Sequence, residues 1–125
     1  MRRDPRALLW DVRRAADSIA RYVGQRDREA YLADDMLRSA IERQFEIIGE
    51  ALNQLARLEP AIANRIPELG NAVAFRNILI HGYTTIDDRT VWRTIEESLP
   101  GLRKSLSALL DRTGDADLAR GEPKE

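Results

Sequence analysis

Apolar residues recur every three or four positions along almost the whole chain, and that one periodicity restricts the fold to packed helices. Leu8, Leu9, Val12, Ala15, Ala16, Ile19 and Val23 mark a first amphipathic helix, with Gly24 as its stop. Residues 25–34 are largely polar, with Tyr31 and Leu32 as their only large apolar residues, and read as a connector with at most one helical turn. A second helix is expected over 35–58. Its stripe of Leu37, Ile41, Phe45, Ile48, Leu52 and Leu55 is widened by Ile47, Ala51 and Leu58, enough to meet more than one neighbour. Gly49 lies within it, where the missing side chain permits close approach by a packed helix.

Pro60 and Pro67 bracket a short irregular or single-turn stretch, and Pro67 suits the first turn of a third helix over 67–80. Gly82 is placed to end that helix in the left-handed conformation. A fourth helix starts near Asp87 or Asp88, either of which can cap it, and continues through Val91, Trp92, Ile95, Leu99, Leu102, Leu106, Leu109 and Leu110. Pro100 interrupts this pattern, so a kink or break is expected near residues 96–99. No strand alternation, internal repeat or Gly-rich phosphate loop is present in the sequence. The expected fold is all-α, an up-and-down four-helix bundle with short extra helical turns and a kinked last helix. The bundle domain should span residues 1–112, with a flexible C-terminal tail over 113–125.

Composition removes several classes of chemistry. The absence of cysteine rules out disulfides, thiolate metal sites and cysteine nucleophiles. No apolar run approaches the roughly 18 residues of a membrane span and no secretory h-region is evident, so a cytoplasmic protein is expected. The net charge of −1 gives no global basic field, yet 18 of the 20 basic residues are arginines. Arginine's rigid fork suits phosphates and carboxylates, although a GC-rich genome would also favour its codons.

One segment concentrates chemically useful groups: Phe75-Arg76-Asn77-Ile78-Leu79-Ile80-His81-Gly82-Tyr83. Asn77 and His81, an i, i+4 pair, share one helix face. Arg76 lies about 140° around the axis from His81 and about 7.5 Å along it. The two can therefore line one cleft only if the helix end loosens or the arginine wraps across. Phe75 and Leu79, with parts of Ile78 and Ile80, are expected on the core side. A neutral imidazole can accept the proton of a ribose 2′-hydroxyl, and a guanidinium can hold the phosphate oxygens as charge builds on them. Asn77 can orient either group. This chemistry cleaves RNA without a metal, leaving a 2′,3′-cyclic phosphate and a 5′-hydroxyl. His81 is the only histidine, so a second imidazole must come from another copy of the chain.

Arg76, His81 and Tyr83 match the R-x4-H-x-Y signature of the HEPN superfamily, and the chain resembles in particular its HepT-like toxins. Residues 43–52, RQFEIIGEAL, on the second helix and 75–83 on the third are similar to that family, and the resemblance extends from about Leu8 to Leu110. It implies a homodimeric, metal-independent endoribonuclease, the toxin of a type VII toxin–antitoxin module, with Arg76 and His81 catalytic and Asn77 supporting. It also implies a cognate MntA-like nucleotidyltransferase antitoxin that transfers AMP to Tyr83. No cofactor and no metal is expected. The alternative is a non-catalytic nucleotide-binding or dimerisation partner of a nucleotidyltransferase.

Other features are weaker. Glu42, Glu46 and Glu50 form a column whose repulsion Arg38 or Arg43 can offset, and one of these glutamates can orient Arg76 or His81. Without Glu-x-x-His pairs, the column does not read as a di-metal site. Trp10, Tyr22, Tyr31 and Trp92 could stack on bases or fill the core. Eight arginines against four aspartates over residues 2–28 could guide RNA or simply face solvent.

Overall fold

The computed structural model describes residues 4–81 and 86–119, without the side chains of 112–119. Seven helices account for the described secondary structure: α1 (Pro5–Val23), α2 (Arg28–Ala33), α3 (Asp35–Leu58), α4 (Pro60–Ala63), α5 (Leu69–Ile80), α6 (Asp88–Glu97) and α7 (Leu99–Ala119). Aspartates start four of them. The carboxylates of Asp4, Asp27, Asp34 and Asp87 accept backbone N–H bonds of 2.9–3.0 Å from Arg6, Ala30, Leu37 and Arg89. Each bond satisfies an amide that the first helical turn leaves without a partner. Gly24 ends α1 at φ 54°, a left-handed conformation that a side chain would strain, and its N–H bonds the Ala20 carbonyl at 3.0 Å.

Packing follows the apolar stripes. α1 lies against α3 and α7, α3 also lies against α5, and α2 bridges α3 to α6. Leu8, Leu9, Val12 and Ile19 of α1 meet Ile41, Ile48, Leu52 and Leu55 of α3, with Val91 and Leu106 closing the core, and all of these are buried. Each such aliphatic side chain gives about 1.5–3 kcal/mol of transfer free energy. The breadth of the α3 stripe is accounted for by its position between α1 and α5. No helix among the described residues is long and apolar enough to cross a membrane.

The structure corrects the sequence reading in three places. The connector holds a six-residue helix, α2, longer than the single turn expected, because Asp27 caps it and Tyr31 anchors it in the core against Trp92 at 5.4 Å between ring centroids. The third helix begins at Leu69, with Pro67 and Glu68 in the preceding turn. The third correction concerns α5, where Ile78 and Ile80 are 52% and 42% exposed and the helix contributes no fully buried residue. The break expected near Pro100 falls at Ser98, and Pro100 occupies the first turn of α7, where its missing N–H costs nothing. The backbone of α7 remains helical past Thr113 to Ala119, while residues 120–125 of the expected tail lie outside the described residues.

Candidate active site

The site is built where α5 crosses α3. Gly49 makes that crossing close: a Cβ placed there would lie 2.2 Å from the Arg76 Cβ and 2.9 Å from the Ala72 carbonyl oxygen. The stem of Arg76 therefore lies on the α3 backbone, in space that any residue other than glycine would fill. Edge-on contact between Phe45 and Phe75, with centroids 5.2 Å apart, fixes the same pair of helices one turn away.

The guanidinium of Arg76 is held at two points. One terminal nitrogen donates to Glu50 Oε1 at 2.5 Å and the other to Asn77 Oδ1 at 3.0 Å. Glu50 is held in turn, since Gln54 Nε2 donates to its other oxygen at 3.2 Å. The Arg76 side chain is 23% exposed and Glu50 46%, so the ion pair lies at the protein surface with its arginine mostly covered.

The column of glutamates on α3 divides its partners. Glu46 pairs with Arg43 at 3.2 Å within the helix. Glu42 faces Asp88 and Arg38, and its pKa is raised by burial first and by the Asp88 carboxylate second, with Arg38 acting in the opposite sense. Arg38 itself pairs with Asp88 at 3.2 Å and donates to the Leu32 carbonyl, tying α3 to the start of α6. Glu50 is the member of the column that reaches α5.

His81 caps the C-terminus of α5 and its N–H bonds the Asn77 carbonyl at 3.1 Å. Its side chain is exposed, and among the described residues no hydrogen bond or ion pair joins the imidazole to Arg76 or Asn77. The structure thus brings Arg76 and Asn77 together with Glu50, and leaves His81 facing solvent at the end of the same helix. Gly82 and Tyr83 lie outside the described residues. Among the described residues, no three of His, Asp and Glu converge as a metal ion would require. Of the aromatic candidates, Tyr31 and Trp92 are core residues, whereas Trp10 is 37% exposed with the Arg13 guanidinium 5.5 Å from its ring.

An apolar groove of about 290 Å³ opens beside α5, lined by Phe45, Phe75, Ile78, Leu99 and Leu102 among others. Ile78 lines it and is exposed, as is Ile80 two residues on, so this part of α5 presents apolar surface to solvent.

The family model described as "Ribonuclease HepT-like" matches residues 12–109. The chain belongs to the HepT-like ribonuclease family. Relatives include a candidate RNase of Methanocaldococcus jannaschii, 30% identical over 84% of this chain and 95% of its own. A Thermococcus cleftensis protein named "Probable ribonuclease HepT" is 32% identical over 87% of this chain and 98% of its own. A third, from Caldanaerobacter subterraneus and also named as a candidate RNase, is 28% identical over 86% and 96%. No solved structure matches the chain. Membership makes the protein an endoribonuclease by class. RNA is the substrate that class implies.

Proposed function

We propose that the protein is the toxin of a toxin–antitoxin module and cleaves RNA, without a metal, at a composite site formed by the Arg76–His81 segments of two copies. The observation that carries this reading is the state of α5. It is an apolar helix with no fully buried residue, and it carries a guanidinium held in place and ends in an exposed histidine. Covering such a helix with a second copy would remove Ile78 and Ile80 from water and bring two His81 side chains to one cleft.

The chemistry divides between the copies. One neutral His81 accepts the proton of the ribose 2′-hydroxyl, and the 2′-oxygen attacks phosphorus as the bond to the 5′-oxygen breaks. The protonated His81 of the other copy gives its proton to the departing 5′-oxygen. Arg76 holds the non-bridging oxygens, where negative charge increases in the transition state. The products are a 2′,3′-cyclic phosphate and a 5′-hydroxyl. A nucleotidyltransferase antitoxin neutralises the enzyme by transferring AMP to Tyr83, two residues from His81. That modification would place phosphate charge and bulk where the substrate phosphate must bind.

Incubation of the purified protein with total RNA in EDTA, beside His81→Ala and Arg76→Ala, tests the reading. The expected result is cleavage by wild type alone, leaving cyclic-phosphate ends, and loss of growth arrest in both variants. Undiminished cleavage by His81→Ala would overturn it. Nucleotide binding without any cleavage, by protein shown by mass to lack AMP, would make the chain a binding partner instead.

A further inference from the structure

Catalysis by an arginine depends on where its fork points before the substrate arrives, and in this chain that direction is set from another helix. We infer that Glu50 is a positioning residue for the ribonuclease reaction, holding the Arg76 guanidinium in the orientation in which it meets the scissile phosphate. The inference rests on the proposed role of Arg76 as phosphate clamp and adds a residue that acts through it.

A continuous chain of polar contacts supports this assignment. Gln54 donates to Glu50 Oε2 at 3.2 Å, Arg76 donates to Glu50 Oε1 at 2.5 Å, and the other terminal nitrogen of Arg76 donates to Asn77 at 3.0 Å. Gly49, the neighbour of Glu50, admits the arginine stem onto the α3 backbone. The dipeptide thus grips Arg76 twice, at its stem and at its head. An unrestrained arginine would lose rotamer freedom on binding phosphate, whereas one already ordered loses little in the transition state.

The same contact could be imagined as a lock that withholds the arginine from RNA, but the geometry argues against it. A guanidinium carries five N–H donors, and the contacts to Glu50 and Asn77 occupy two of them, leaving three for phosphate. Stability is an equally poor explanation for the pair. Glu50 is 46% exposed, and ion pairs that open to water add little to folding. Neither neighbour in the column substitutes for it, because Glu46 is bound to Arg43 and Glu42 faces Arg38 and Asp88.

The test compares full-length wild type with Glu50→Ala, Glu50→Gln, Arg76→Ala and Glu46→Ala, measuring kcat, KM and melting temperature on one RNA. Glu50→Ala should lower kcat by roughly 10- to 100-fold, the scale of a misplaced catalytic group, with KM and melting nearly unchanged. Glu50→Gln keeps an oxygen that can accept from Arg76 and should recover part of the loss. Glu46→Ala should cleave like wild type. Separate NMR signals from the Arg76 terminal N–H groups, indicating a guanidinium held still, should be present in wild type and averaged in Glu50→Ala. Unchanged or faster cleavage by Glu50→Ala, or a loss confined to KM, would overturn the inference. So would a fall in melting temperature that Glu50→Gln shares without any recovery of kcat. Wild-type activity in Arg76→Ala would instead overturn the clamp on which the inference rests, so the two failures are distinguishable.

Discussion

At the scale of single residues, two polar groups are held in surroundings that disfavour them. Tyr31 is fully buried and its hydroxyl has no hydrogen-bond partner among the described residues. Burial, and then the nearby Glu42 and Asp88 carboxylates, push its phenol pKa upward. An unsatisfied buried hydroxyl costs about 1–3 kcal/mol, so Tyr31→Phe should match or exceed wild type in thermal stability, and a clear drop in melting temperature would contradict this account. Glu42 offers a pH test. Its folded pKa is raised above the unfolded value, so the linked stability is complete below the ordinary carboxylate range and is lost as pH rises through the raised value. Glu42→Gln should therefore melt like wild type near about pH 4 and above it near pH 7, where only the wild-type side chain is charged. Equal melting temperatures at both pH values would contradict a carboxyl raised by burial at this position. The glycines separate in the same concrete way. Gly49→Ala forces the α3–α5 crossing apart and should cost about 1–3 kcal/mol, while a Cβ at Gly70 meets nothing within 4 Å. Gly70→Ala should be neutral, or stabilising by up to about 1 kcal/mol, in the same melting experiment.

At the scale of elements, the long helices were legible because local signals agreed with packing. The expected second helix, over 35–58, is α3 to the residue, with an aspartate cap at its start and one sustained stripe. The break before Pro100 was legible for a similar reason, since proline acts on its immediate neighbours. α2 was harder to read because its single deep anchor, Tyr31, carries no period. The contact between Glu50 and Arg76 spans 26 residues, so the column of glutamates was visible in the sequence while the choice among its members was not. α5 marks another limit. Its apolar residues look like core, but one face packs on α3 and the other is left uncovered, a distinction no periodicity contains. Ile78 gives the corresponding prediction. It is 52% exposed, so Ile78→Glu should leave melting of the isolated fold within about 0.5 kcal/mol of wild type. The same change should prevent pairing through α5, shifting the sedimenting mass from twice 14.2 kDa to the single-chain value. Sedimentation as a dimer by this variant would place the interface elsewhere.

At the scale of the whole molecule, the proposed route needs a base for the 2′-hydroxyl and an acid for the leaving oxygen, and one chain supplies one imidazole. The chain has a single histidine, at the end of the helix whose apolar residues are least covered. The constraint from chemistry and the constraint from burial therefore point to the same solution, a pair of chains meeting through α5. A subunit-mixing experiment separates this arrangement from one in which each chain cleaves alone. Wild type is dissociated and reassociated with a ninefold excess of His81→Ala, and cleavage is measured per wild-type chain. If both histidines of a pair take part, only wild-type pairs are active, and random pairing leaves about one tenth of wild-type chains in such pairs. Activity per wild-type chain should then fall to about a tenth of its unmixed value, and approach that level with the kinetics of subunit exchange. Constant activity per wild-type chain would mean that a single His81 suffices, and the leaving oxygen would then take its proton from another group.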